Sequence, residues 1–241
     1  MNAAMRIAIT MIGLILVSVS AHGSTISLSF ERSTLFNNGL SEVGNISLTE
    51  TGGGPTAFPR VEAGEFRFNV TSGNGMFGDE LLGFCIDVTE ALKSSGEYSI
   101  VAIEDYEPFN AIIGWIGNLY DSHYSNNFGS GGAAAAFQLA LWEIIYDPAS
   151  FNLNGGDFSA TDSTNSFSSG HSLASTWLSS LNDVGSSNYD FFVLLPDNPT
   201  DNQAILTWKP KAVPEPGALA LIALGLLLTL VARGRLQTQR V

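Results

Sequence analysis

The sequence predicts an α+β domain, a β-rich sandwich or barrel carrying a helical lobe, set between an apolar segment at each end of the chain. Three observations predict it. Six short stretches read as strands (25–30, 45–48, 65–70, 98–103, 190–195 and 204–208). Three read as helices (108–120, 133–146 and 172–181), and the two ends carry apolar runs of a different kind. Strands that flank a helical middle, rather than alternating with single helices, point to segregated layers.

Taken from the N-terminus, Arg6 is followed by an apolar run over 7–17 and then by the small residues Ser18, Ser20, Ala21 and Gly23. A short positive region, an apolar core and a small-residue exit describe a cleavable secretory signal peptide, assigned to 1–23. The strand segments either alternate apolar and polar residues or are rich in β-branched and aromatic ones. Turn clusters such as Thr51-Gly52-Gly53-Gly54-Pro55 and Ser72-Gly73-Asn74-Gly75 bound them. In Leu81-Leu82-Gly83-Phe84-Cys85-Ile86-Asp87-Val88-Thr89, a strand would turn Phe84, Ile86 and Val88 one way and Cys85, Asp87 and Thr89 the other. On that reading the greasy face is not the cysteine's face.

The strongest helix signal is the stretch after Gly131-Gly132, with an alanine-rich first turn and Pro148 beyond its end. At about 100° per residue, Ala134, Leu141, Trp142 and Ile145 fall within about 60° of Gln138, while Ala136, Ala140, Glu143 and Asp147 take the opposite side. Gln138 therefore sits in the middle of the apolar stripe. An amide buried without partners costs roughly 1–3 kcal/mol, so a glutamine there needs a hydrogen-bonding network or a chemical use. The Gly-, Ser- and Thr-rich stretch 155–170 reads as a mobile loop.

Composition narrows the function classes. The 241 residues are 45% apolar and 14% charged, with a formal charge of −13 and a pI near 4.4. Between 24 and 213 there are six basic and 22 acidic residues, a net −16. Such a body is soluble and suits a cation-rich matrix, but it excludes nucleic acid as a partner. Cys85 is the one cysteine, which rules out an internal disulfide and any site needing two thiolates. No cofactor and no metal site are expected. The pairs Asp157/Asp162 and Asp197/Asp201 match no EF-hand loop and read as acidic turns. A free thiol is a liability in an oxidising compartment unless it is buried or used.

At the C-terminus, Val213-Pro214-Glu215-Pro216 precedes a chargeless apolar run over 217–232 and then Arg233, Arg235 and Arg240. A run of that length is near the lower limit for spanning the hydrocarbon core, and the basic cluster stays cytoplasmic. The arrangement resembles the PEP-CTERM sorting signal of Gram-negative bacteria. That resemblance implies a short transmembrane helix, an exosortase-type sorting enzyme that removes the tail, and inner-membrane anchoring before release to the cell surface or matrix. The chain then divides into a signal (1–23), an exported body (24–211) and a sorting segment (212–241).

Phe84-Cys85-Ile86-Asp87 and Phe137-Gln138-Leu139-Ala140-Leu141-Trp142 together resemble the two motifs of the thioester domains of bacterial surface adhesins. The resemblance lies mainly between 81 and 147. It implies that Cys85 is the thioester cysteine and Gln138 the acyl donor, with Asp87 and Trp142 at the flanking motif positions. Asp87 would assist proton transfer or orient a donor, and Trp142 would exclude water. It further implies covalent capture of an amine-bearing target by a chain that is not a turnover enzyme. The departure is the anchor, since that family is best known on Gram-positive surfaces. Two other classes compete. A non-covalent matrix- or carbohydrate-binding β-sandwich predicts a free Cys85. A cysteine hydrolase would draft His123 or His171, neither of which has a recognisable motif around it; both read as solvated loop or helix-start residues.

Overall fold

The computed structural model describes residues 24–49, 53–73, 75–125, 127–160, 167–183, 185–200 and 202–212. The expected signal segment and the sorting motif with its helix and Arg-rich tail lie outside them. Among the described residues no helix is long and apolar enough to cross a membrane. The chain divides into two units, the first ending at Lys209, and the architecture is that of the first.

Among the described residues eight strands form one sheet: β1 (Thr25–Ser29), β2 (Phe36–Thr49), β3 (Pro55–Ser72), β4 (Glu80–Cys85), β5 (Ser95–Ala102), β6 (Phe158–Ala160), β7 (Tyr189–Pro196) and β8 (Ile205–Pro210). The order β1-β5-β7-β8-β4-β3 is closed by a further β1–β3 pairing, so six strands make a ring, and β2 and β6 extend from β3 as a side ribbon. The fold is thus the α+β barrel with helices that the sequence predicts. Closure leaves those six strands without a free edge, which is how antiparallel sheets avoid edge-to-edge association.

Strand β3 belongs to both parts. Residues from Pro55 to Phe66 pair with β2, those from Phe66 to Asn69 pair with β4, and Asn69, Val70 and Ser72 pair with β1. The β2–β3 register breaks between Phe36 and Ser41, where Asn38 and Gly39 take positive φ of 55° and 67°. An irregularity of this kind bends a strand, and it turns the ribbon away from the barrel to make room for a helix.

That helix is α2 (Gly131–Tyr146). It packs on β2, β3 and β6 and on two further helices, α1 (Ile113–His123) and α3 (Gly170–Ser180). Ser130 caps its N-terminus by accepting from Ala133 N–H at 3.2 Å. The start of α3 is capped across the fold, since the Glu42 carboxylate on β2 accepts from Ser169 Oγ at 2.7 Å and Gly170 N–H at 3.0 Å. A carboxylate at a helix N-terminus satisfies orphan donors and opposes the dipole.

Four sequence expectations are corrected. The helix expected over 108–120 begins later, at Ile113, because Pro108 sits in one of two short 3-10 turns, Ile103–Asp105 and Glu107–Phe109. Helix α2 has no polar side: Ala136, Ala140 and Glu143 are as buried as Leu141, since sheet and helices cover it all round. The 155–170 stretch is no simple mobile loop. Its Phe158–Ala160 segment pairs with β2, and Phe158 and Phe167 are fully buried. Finally, β4 ends at Cys85, and Phe84, Cys85 and Ile86 are all buried. The alternation therefore holds at Phe84, Ile86 and Val88, which are buried, and at half-buried Asp87 and exposed Thr89, but fails at Cys85, which is as buried as the greasy face.

Docking of α2 depends on a close approach. A Cβ on Gly131 would stand 2.5 Å from the Ser41 carbonyl oxygen, a backbone atom that cannot swing aside. Gly131→Ala is expected to destabilise the domain by about 1–3 kcal/mol, lowering the melting temperature by roughly 2–4 °C per kcal/mol. A calorimetric melt equal to that of the wild type would show that the helix does not dock this tightly.

Candidate functional site

The site begins where two strands part. β4 stays paired with β8 as far as Cys85, opposite Ile205, while its pairing with β3 stops at Gly83 opposite Phe66. Ile86 N–H donates to Ala204 on the β8 side at 3.1 Å. By the alternation of an antiparallel ladder, the N–H and C=O of Cys85 then face the side that β3 has vacated. Buried backbone groups of this kind must find partners.

Gln138 supplies both. Its Oε1 accepts from Cys85 N–H at 3.0 Å, and its Nε2 donates to Cys85 O at 2.8 Å. One side-chain carboxamide thus stands in for a neighbouring strand. Both residues are sealed, Cys85 at 2% and Gln138 at 1% exposure. The preceding residues reinforce the register, because the rings of Phe84 and Phe137 meet with centroids 4.7 Å apart. Phe84 also stacks on Trp208 at 5.7 Å, within an aromatic cluster that includes Tyr120.

The Cys85 thiol donates to the Asp87 carbonyl at 3.1 Å. Burial pushes its pKa far above the usual thiol range, outweighing the Asp87 backbone hydrogen bond that lowers it. The Trp142 indole N–H lies close enough to the thiol to favour its charged form, although it closes no hydrogen bond of good geometry with any group. Trp142 is 1% exposed and seals this side of the pair. Asp87 meets the cysteine through its main chain. Its carboxylate instead accepts from Thr89 N–H at 3.0 Å and Thr89 Oγ1 at 2.6 Å.

Tyr146 is a contact that sequence reasoning missed. Its hydroxyl donates to Ile86 O at 2.9 Å and accepts from Val88 N–H at 3.2 Å. The spacing of four that links Gln138 to Trp142 continues to Tyr146, and that was the available signal. The two histidines are not solvated as expected: His123 stacks on Trp177 with centroids 4.7 Å apart, and His171 is 5% exposed at the start of α3. Among the described residues no group of three or more His, Cys, Asp and Glu is placed to hold a metal ion.

Two carboxylates are buried beside this machinery. Glu65, bonded by Asn37 Nδ2 and by Tyr124 OH at 2.9 Å, is pushed by burial from 4.5 to about 7. Glu143 is raised to about 8 by burial and then by the Asp147 charge, with the Asn152 backbone N–H easing it slightly. Neither of its carboxylate oxygens has a closed hydrogen bond.

No protein-family model matches the sequence, and no curated protein matches it. Several solved structures are similar in architecture. The N-terminal domain of the Streptococcus pyogenes pilus tip adhesin Cpa is 13% identical, with a TM-score of 0.43 over 82% of this chain and 97% of that one. The N-terminal thioester domain of the fibronectin-binding protein SfbI from Streptococcus pyogenes is 14% identical, with a TM-score of 0.40 over 74% and 96%. The N-terminal thioester domain of a surface protein from Clostridium perfringens is 14% identical, with a TM-score of 0.38 over 68% and 97%. At this level of superposition the likeness carries none of the functional argument, which stands on the Cys85–Gln138 contact.

The raised carboxylates set a pH dependence. Between 4.5 and the folded values near 7 and 8, the folded chain keeps protons that the unfolded chain has released, so stability falls as pH rises through that window. Glu143→Gln removes one share of this loss. Its melting temperature is expected to exceed that of the wild type by a margin that widens from pH 5 to pH 9, reflecting about 2–4 kcal/mol at the upper end. A margin constant across that range would mean that Glu143 is not held protonated by burial.

Proposed function

We propose that Cys85 and Gln138 form an internal thioester, and that the exported chain uses it once to capture an amine on a surface or matrix target. The observation that carries this reading is the pair of hydrogen bonds between the Gln138 carboxamide and the Cys85 main chain. They hold the acyl donor against the residue that bears the nucleophile. They also place the Cys85 N–H on Oε1, the oxygen on which negative charge develops when sulfur attacks.

The step balances within the pair. The Cys85 Sγ–C bond to the Gln138 side-chain carbon forms, the C–Nε2 bond breaks, and the thiol proton leaves with the nitrogen as ammonia. Burial holds the thiol protonated, so the thiolate is scarce and the rate depends on proximity and orientation. The bond would close a loop of 53 residues, stabilising the fold by about 4 kcal/mol on the analogy of disulfide loops. Its chemical use is greater. A lysine amine attacking the thioester gives an irreversible amide and regenerates the Cys85 thiol, an event without turnover. Because the pair is sealed, capture requires the cover over Cys85 to open locally.

The setting follows from the ends of the sequence. A signal over 1–23 exports the chain. Pro214-Glu215-Pro216, the apolar helix and the tail of Arg233 and Arg235 hold it in the inner membrane until an exosortase-type enzyme delivers it to the cell surface or matrix. Intact mass tests the central claim. The purified wild type is expected to be one ammonia lighter than its sequence, Cys85→Ala to have full mass, and methylamine to convert the light species into an adduct with a free thiol. A wild type at full mass that takes one maleimide per chain after unfolding overturns the reading and leaves a binding module with a structural thiol. Labelling must follow unfolding, because the folded thiol is shielded in either case.

A further inference from the structure

The geometry points to Tyr146 as the positioning residue of this chemistry: its hydroxyl sets the turn after Cys85 so that the thiol is held toward Gln138. The inference rests on the thioester reading above. Residues 86–88 follow the end of β4, where no strand pairing continues on the β3 side. Tyr146 OH bridges this turn, donating to Ile86 O at 2.9 Å and accepting from Val88 N–H at 3.2 Å. Between those two residues stands Asp87, whose carbonyl accepts the Cys85 thiol proton at 3.1 Å. The hydroxyl therefore orients the carbonyl that orients the sulfur.

Gln138 and Tyr146 reach this segment from one helix, α2, two turns apart. Together they make four hydrogen bonds to the backbone of 85–88. The two sets differ in what the reaction does to them. Loss of ammonia removes the Nε2 donor and with it the bond to Cys85 O, whereas both bonds of Tyr146 survive. Before the bond forms, Tyr146 is thus the tie between helix and turn that is not itself consumed. Burial keeps its phenol protonated far above neutral pH, so it acts by hydrogen bonding and carries no proton away.

The test compares the full chain, wild type against Tyr146→Phe, with thioester formation followed by intact mass during cell-free synthesis and expressed per folded molecule from parallel melts. Tyr124→Phe is the matched control, since it too deletes a hydrogen-bonded hydroxyl from a half-buried tyrosine, here one bonded to Glu65. Tyr146→Phe is expected to slow formation by roughly tenfold to a hundredfold, while Tyr124→Phe leaves it unchanged. Once the bond exists the position is held covalently, so opening by methylamine is expected at the wild-type rate in both variants. If Tyr146→Phe alone does not fold, the measurement is made on the stabilised Glu143→Gln background. Equal formation rates, or formation and opening slowed alike, overturn the inference while the thioester stands. A wild type at full mass removes both.

Discussion

The interaction on which the rest depends is the exchange of two hydrogen bonds between one side chain and one backbone residue. Where β3 leaves β4, the N–H and C=O of Cys85 are stranded inside the protein, and an unpaired buried backbone group costs on the order of 1–3 kcal/mol. A third strand would satisfy them, but there is no room for one beside a helix. Gln138 satisfies both from within that helix. The carboxamide that fills the vacated edge is the same one that the proposed reaction uses as acyl donor.

This solution constrains the surroundings. The helix must come close enough for a glutamine side chain to reach the sheet, which explains the bare backbone at Gly131 against Ser41 and the ring contact between Phe84 and Phe137. It must also be covered on every side, because a solvated flank would admit water to the pair. The cover is dense enough to trap Glu65 and Glu143 with raised pKa values. These carboxylates are a stability loss that grows with pH and serve no step in the proposed reaction.

The closed ring of six strands supplies the rigidity. Cys85 terminates a strand held on one side by β8, so the proposed nucleophile sits on a regular element and only the turn after it needs separate restraint. Preorganisation of that kind matters when the acyl donor is as unreactive as an amide and the nucleophile is kept protonated by burial. The same rigidity buries the pair, so in the proposed reaction capture and protection would make opposite demands on the segments over Cys85.

Much of this was legible in the sequence. Most strand positions and the α2 helix could be read from periodicity and helix-end signals, because local patterns record which residues must be apolar and where helices stop; β6 and the first halves of β2 and β3 could not, and the pairing of Cys85 with Gln138 came only from the resemblance of two short motifs to a family. The face assignments could not be read. The polar face assigned to Cys85 and the polar flank of α2 both presuppose a wet side, and here Cys85 and α2 are covered by segments remote in sequence. Asp87 was placed by spacing as a side chain facing the cysteine, but its carboxylate found a nearer partner in Thr89 and only its carbonyl meets the thiol. Tyr146 was missed for a related reason. A tyrosine at the end of an apolar helix looks like core, and only the tertiary path of the chain after β4, which leaves Ile86 O and Val88 N–H in need of a partner, turns its hydroxyl into a clamp. The sequence by itself determined where the helices and most strands lie, and that one thiol and one glutamine within an apolar stripe both need partners. The tertiary structure alone decided what faces them, because burial and hydrogen-bond satisfaction depend on neighbours that no local pattern records.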